Sequence, residues 1–320
     1  MKRESINQIL AHHSIRKSKA QKVEFIQWMQ KHSETFDYSL HVHLYKKGKG
    51  KNLVIGDPAN AKLFLTAHYD TAPTAIIPVT TLVSGWRGYA VSQLGVIGPV
   101  VALSWLFYFL LSLIFGDLGV FSIRVSTALG LPIISMIFIF LWSQQMMFGF
   151  ANKSNANDNT SGVAVLLAVI EDMPKRLRNN VCFIFFDEEE KGLEGAKAFK
   201  RSHRSLMKGK PLINFDCVGH GKQLIFIVKN EFYKSLSHKI LCDVVGNRGL
   251  IKPSKKMIYP SDQWVFPMGV GVTATHWSPV IGYYLSRLHS KYDHFLEETN
   301  IETLKEIAID FITILEEGER

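Results

Sequence analysis

Histidines and carboxylates recur in this chain where apolar runs end. His68-Tyr69-Asp70 follows residues 62–67, Asp187 to Glu190 follow residues 181–186, and Asp216 follows residues 212–215. Asp158 stands in Asn155-Ala156-Asn157-Asp158-Asn159-Thr160-Ser161-Gly162, just before an apolar helical stretch, and His289 follows the last strand-like run. Two histidines with three or more carboxylates make a donor set for zinc, which accepts imidazole nitrogen and carboxylate oxygen and in catalytic sites keeps one position open for water. Two such dications close together need an anion between them, and a carboxylate can supply it. In His68-x-Asp70 the aspartate can accept from the ring's second nitrogen and fix its tautomer, so Asp70 reads as an orienting group rather than a ligand. Each residue alone has an ordinary reading: Asp158 as a helix cap, Glu188 to Glu190 as a solvated helix entrance, and His68, His276, His289 or His294 as a plain histidine. Their occurrence together, in order and at element ends, points to a metal site. A serine-nucleophile reading has no support, because no G-x-S-x-G sequence is present.

Such a site needs strands that end together. Residues 22–31 have helical apolar spacing, and residues 40–45 alternate like a half-exposed strand. Residues 52–55 and 62–67 are apolar runs separated by Gly56-Asp57-Pro58, which predicts a hairpin or neighbouring strands. Further on, strands are expected at 181–186, 212–215, 224–228, 270–275 and 280–285, and helices at 161–172, 193–202, 232–245 and 301–315. Strands alternating with helices predict a three-layer α/β sandwich, in which the carboxyl ends of the strands converge on one ligand-binding edge.

The region between His68 and Asp158 is of another character. Residues 88–116 and 125–152 carry no charge at all, each long enough to cross a bilayer, which needs about 20 apolar residues. Only Gly116 to Arg124 lies between them, so the expected form is a transmembrane helical hairpin, with buried core helices as the alternative. Arg87 and Lys153 flank the outer ends, whereas the connection offers Asp117 and Arg124, an asymmetry that places both ends and the catalytic part on the cytoplasmic side. The polar, basic N-terminus, residues 1–21, does not read as a secretory signal. The chain is thus divided into residues 1–87, the hairpin insertion 88–152, and residues 153–320.

With 320 residues, 47% of them hydrophobic and 20% charged, the chain can bury one domain core and still hold such an insertion. The net charge of +9 is scattered and forms no nucleic-acid recognition signature, so an anionic lipid surface is the expected partner of the basic residues and nucleic acid is not. Cys182, Cys217 and Cys242 are an odd set without close spacing and are expected to be buried reduced thiols.

Four separated motifs give the sequence a specific resemblance: Thr66-Ala67-His68-Tyr69-Asp70, Ala156 to Ala164, Glu189-Glu190-Lys191-Gly192-Leu193-Glu194-Gly195-Ala196, and Asn214-Phe215-Asp216. With Ser261-Asp262, Phe266 and the closing His289-Ser290-Lys291-Tyr292-Asp293, they resemble the dizinc exopeptidases of the bacterial leucyl aminopeptidase and aminopeptidase Y type. That resemblance implies the zinc exopeptidase (phosphorylase/hydrolase-like) αβα fold and a hydrolase that removes N-terminal residues from peptides. It also implies two Zn2+ per chain: His68 and Asp216 on one, Glu190 and His289 on the other, Asp158 bridging, and Glu189 as general base, with the register of the glutamates set by Gly192-Leu193. The chain departs from the family in the long insertion between His68 and Asp158, which suggests hydrophobic or membrane-associated peptide substrates. A glutaminyl cyclase-like single-zinc acyltransferase and a non-catalytic membrane scaffold with a peptidase fold are the other readings.

Overall fold

The computed structural model describes residues 3–75, 78–116 and 123–318. Its frame is a mixed sheet built from ten strands: β1 (Leu40–Tyr45), β2 (Gly50–Ile55), β3 (Leu63–His68), β4 (Val79–Leu82), β5 (Val181–Phe186), β6 (Leu212–Phe215), β7 (Gln223–Val228), β8 (Leu250–Pro253), β9 (Gly269–Ser278) and β10 (Gly282–Leu288). Eight follow the order β1-β2-β5-β3-β6-β9-β10-β4, while β7 pairs with β9 and β8 with β7. The middle strands β5, β3, β6 and β9 are mutually parallel. In β3 and β5 all six residues are buried, as strands covered on both faces must be.

Side chains alternate between two layers. Leu53, Ile55, Leu65, Ala67, Phe183, Phe185 and Phe215 face the larger core, shared with helices α1 (Glu4–His12), α2 (Lys19–Glu34), α5 (Gly162–Asp172), α8 (Leu236–Val245) and α9 (Glu298–Glu317). Val54, Phe64, Ile184 and Phe186 point the other way, against α6 (Glu194–His203) and Phe266. The three-layer α/β expectation therefore holds. Ser18 starts α2 by a reciprocal cap: its hydroxyl accepts from the Gln21 amide at 3.3 Å, and Gln21 Oε1 accepts from the Ser18 amide at 2.9 Å.

Several local expectations need correction. Residues 52–55 and 62–67 are neither a hairpin nor neighbours, because β5 enters between them: β2 pairs with β1 and β5, and β3 with β5 and β6. The helix expected at 232–245 is broken into α7 (Asn230–Tyr233) and α8 at Ser235. Cys182 and Cys217 are buried free thiols, but Cys242 is exposed on α8.

Beyond β4 the chain forms two long helices, α3 (Gly85–Gly116) and α4 (Ile123–Phe148). They pack on each other, with Ser104 Oγ and Ser135 Oγ 2.9 Å apart and the Phe107 and Phe138 rings 5.6 Å apart. They are not core helices: Leu106, Phe109, Met136 and Phe140 are each more than half exposed. Both are long and apolar enough to cross a membrane. The connecting residues 117–122, with Asp117, lie outside the described residues, as does the side chain of Arg124. The first turns of α3 lean on β4, where the Leu82 amide donates to Ser92 Oγ. After α4 the chain returns beside its point of departure, Pro73 bridging to Ala151.

Candidate metal centre

The parallel register sets the site. His68 is the last residue of β3 and lies opposite Phe186, so Asp187 to Glu190 continue from the neighbouring strand at the same edge. β6 pairs Asn214 with Thr66, which brings Asp216 level with His68. Asp158 enters from the irregular turn Ala156–Ser161 ahead of α5. His289 arrives from β10 with φ of 55°, a left-handed backbone one residue beyond the strand.

These side chains meet around Asp158. His68 Nε2 lies 3.4 Å from Asp158 Oδ1 and 3.7 Å from Asp216 Oδ1. His289 Nε2 lies 3.1 Å from Asp158 Oδ2 and 3.5 Å from Glu190 Oε2. One carboxylate thus presents one oxygen to each histidine. Among the described residues, three groups have donor atoms within 4.8 Å of one another: His68, Asp158 and Asp216; His68, Glu189 and Glu190; and Asp158, Glu190 and His289. Glu188, the first of the glutamates, turns outward to Lys46 and Lys191, 3.0 Å from each. Asp187 turns away as well, paired with Lys22 and accepting from the Lys51 amide.

Asp70 sits behind His68, but its nearest contact to the ring is the main-chain oxygen, 3.1 Å from Nδ1, with carboxylate Oδ1 at 3.5 Å. That same Oδ1 accepts from the Glu189 amide at 3.1 Å, so Asp70 links the loop of His68 to that of the glutamates. Asp293 accepts from the amides of Asn157 and Asp158 at 2.8 and 3.0 Å. Asn159 ties the turn to β6, donating to the Phe215 carbonyl at 3.0 Å and accepting from the Gly162 amide at 3.0 Å. The other histidines are elsewhere: His276 Nε2 is 3.0 Å from His220 Nε2, and His294 is exposed beside Phe295.

The electrostatics are those of an acid-rich interior. Burial pushes Glu190 up to about 7, opposed by His289 and reinforced by Asp158. Burial likewise drives Glu189 and Asp262 well above the usual carboxylate range, and Asp293 to about 7. Burial disfavours charge on His289, yet Glu190 and Asp158 outweigh it and raise it to about 9. His68 is raised well above its ordinary value by Glu189 and the carboxylates of Asp158 and Asp216, also against burial. Glu190 Oε1, Asp216 Oδ1, His289 Nδ1 and both oxygens of Asp262 are buried with no hydrogen-bond partner. Orphaned buried polar atoms are costly and rare, and here they line one acidic pocket with two imidazoles. The donor set fits zinc.

Arg16, fully buried against Tyr69 and Thr160, and Lys22 have no mark in the sequence, and Asp262 and Asp293 stand out there only within motifs. Arg16 lies in a polar N-terminal stretch and Lys22 opens the apolar-spaced run 22–31, and neither setting carries a signal of the site. Asp262 could have been marked as a carboxylate beside apolar Trp264 to Phe266.

The sequence model of peptidase family M28 matches residues 145–312. No curated protein matches the chain. Among solved structures, the aminopeptidase LapA of Legionella pneumophila is similar with a TM-score of 0.56 at 14% identity, over 97% of this chain and 68% of that one. A glutaminyl cyclase of Porphyromonas gingivalis has a TM-score of 0.59 at 13% identity, over 97% and 96% of the two chains. A Zn-dependent exopeptidase from Parabacteroides distasonis has a TM-score of 0.58 at 13% identity, over 96% and 94%. At such identities the likeness gives the zinc exopeptidase fold.

Proposed function

The chain belongs to peptidase family M28, and from that premise we propose that it is a membrane-anchored, zinc-dependent aminopeptidase acting on hydrophobic or membrane-associated peptides. The observation that carries this reading is Asp158, which offers one oxygen toward His68 and the other toward His289 inside an acid-rich pocket. On this reading His68 and Asp216 would hold one zinc, Glu190 and His289 the other, and Asp158 would stand between them. Zinc bound there supplies Lewis acidity toward the scissile carbonyl and makes water acidic near neutral pH.

The protein's own groups do the rest. Glu189, half-buried beside His68 and Glu190, is the base that takes the proton of the attacking water and returns it to the leaving amine. Asp70 positions both His68 and the Glu189 main chain. Residues 1–87 and 153–320 form one catalytic body, and the insertion 88–152 crosses the bilayer as a hairpin, with the body on the cytoplasmic side. The exposed apolar faces of α3 and α4 support this placement, since such surfaces need cover.

The test is metal content together with turnover of aminoacyl-nitroanilides, for detergent-purified wild type and Glu189→Gln. Two zinc ions per chain, turnover by the wild type, and a loss of about 10²–10⁴-fold in the variant with the metal retained are expected. Cyclisation of N-terminal glutamine with one zinc and no peptide hydrolysis would put the glutaminyl cyclase reading in its place. No metal and no turnover would leave the scaffold.

A further inference from the structure

Ser14 to Lys17 run as a short strap across the inner wall of the metal centre. Asn155 Nδ2 donates to the Ser14 carbonyl at 3.0 Å, and Lys17 Nζ donates to the Met147 carbonyl at the end of α4 at 3.2 Å. Between them Arg16 is driven fully into the protein, 0% exposed. Its main-chain amide donates to Thr71 Oγ1 at 3.0 Å, Nε to the Tyr69 carbonyl, one terminal nitrogen to the His13 carbonyl, and the other to Thr160 Oγ1 at 3.2 Å. Tyr69 and Thr71 flank Asp70, and Thr160 lies two residues beyond Asp158.

All four of these acceptors are neutral. A buried guanidinium without a carboxylate in hydrogen-bond contact is an expensive thing to keep, and ordinary clamping could be done by an uncharged donor. What favours the charge is the field of Asp70 and Asp158 through space: burial pulls Arg16 down only to about 10, so it stays charged at neutral pH. The neighbouring cation Lys22 is already paired with Asp187. Asp70, Asp158, Glu189, Glu190, Asp216, Asp262 and Asp293 crowd a pocket that holds, among the described residues, the imidazoles of His68 and His289.

We propose that Arg16 is the fixed counter-charge of the metal centre, a positioning residue that holds the acidic interior together before metal binds. This role rests on the metal-centre reading given above. Once zinc occupies the site its own charge offsets the carboxylates, and Arg16 then opposes the metal slightly instead of replacing it. The sign of the effect is therefore specific: removing the charge harms the metal-free protein more than the loaded one.

The experiment compares Tm, with and without zinc, and zinc affinity by chelator competition, for full-length wild type, Arg16→Met and Arg16→Lys in detergent. Arg16→Met is expected to lower the metal-free Tm most, to at least double the zinc-induced rise in Tm, and to bind zinc several-fold more tightly. Arg16→Lys keeps the charge but loses the fork, and its zinc-induced rise should return close to that of wild type. An equal fall in both states, weaker zinc binding in Arg16→Met, or an Arg16→Lys variant that behaves like Arg16→Met overturns the role. If Arg16→Met does not fold in either state, Arg16→Gln, an uncharged donor, takes its place with the same expected and overturning results. A wild type that takes up no zinc overturns the centre and the role together, whereas zinc uptake with an unaltered rise sinks only the role.

Discussion

The main-chain amide of Ala75 donates to the carbonyl of His289 at 2.7 Å, tying the chain that leads into the helical insertion to the loop that carries a histidine of the site. The exit from the insertion is tied to the same loop. Asn152 Nδ2 donates to the Ser290 carbonyl at 3.2 Å, and its main-chain amide to the Ala72 carbonyl at 3.1 Å. Arg287 and His289 have φ of 67° and 55°, which non-glycine residues adopt only where the surroundings hold them. Asn152→Ala would leave buried carbonyls unpartnered, at about 1–3 kcal/mol. If His289 is a ligand as proposed, metal should then be lost to a chelator at a concentration up to roughly tenfold lower. Unchanged retention would mean that the insertion's roots do not shape the site.

Gly162 is required where α5 passes β6. A Cβ there would lie 2.2 Å from the Phe215 carbonyl oxygen and 2.6 Å from Asn159 Oδ1, both fixed groups next to Asp216 and Asp158. Gly162→Ala should cost more than about 2 kcal/mol by overpacking, and should reduce metal content in whatever folds. A variant with wild-type Tm and full metal would refute this account of the turn.

The N-terminal helix is held by charge. Arg3 bonds Asp172 at 2.7 Å, Glu302 at 2.8 Å and Glu171 at 3.0 Å, joining α1 to α5 and α9. The Arg3 hydrogen bond holds Asp172 and Glu302 below their ordinary values. A depressed carboxyl adds stability that is complete above its unfolded pKa and is lost as pH falls through the folded one, so the window lies below about pH 4. These groups are largely solvated, which limits the gain to about 1 kcal/mol. Arg3→Met should lower stability by that amount at pH 7, and its deficit relative to wild type should shrink progressively as pH falls below about 4. A difference that persists undiminished at pH 3 would show that Arg3 acts through packing.

Much of this was legible because strand ends carry the chemistry. His68 and Asp216 follow buried runs that could only be central strands, and their place at one edge followed from parallel topology. Glu189 and Glu190 were separated from Glu188 by Gly192-Leu193, and the structure turns Glu188 out to Lys46 and Lys191. Strand order was not legible: nothing between residues 52 and 67 says that a strand from residue 181 will enter between the two runs. Nor was Arg16, because its partners on Tyr69, Thr71 and Thr160 are a carbonyl and hydroxyls far away in sequence, and one arginine in a polar stretch has no period. Short β4 and β8 escaped notice because four residues are too few to display alternation.

The insertion makes the last prediction. α3 has 32 residues, about 48 Å at 1.5 Å per residue, against a hydrocarbon core of about 30 Å. The surplus is its first turns, which rest against β4 through Ser92, so on the proposed reading the spanning part would be the stretch beyond them, where Leu103, Leu106 and Phe109 are exposed. α4 returns with Met136, Phe140 and Leu141 exposed in the same way. If these faces lie in lipid, the protein stays with membranes through an alkaline carbonate wash and leaves only with detergent. Replacing residues 88–149 by a short linker should release it. Cys242, the exposed cysteine of the three, sits on α8 in the catalytic body and reports its side of the membrane. An impermeant maleimide should label it in inside-out vesicles and spare it in intact cells. Labelling in intact cells would put the body outside and reverse the orientation, and release by carbonate alone would remove the bilayer from the account of α3 and α4.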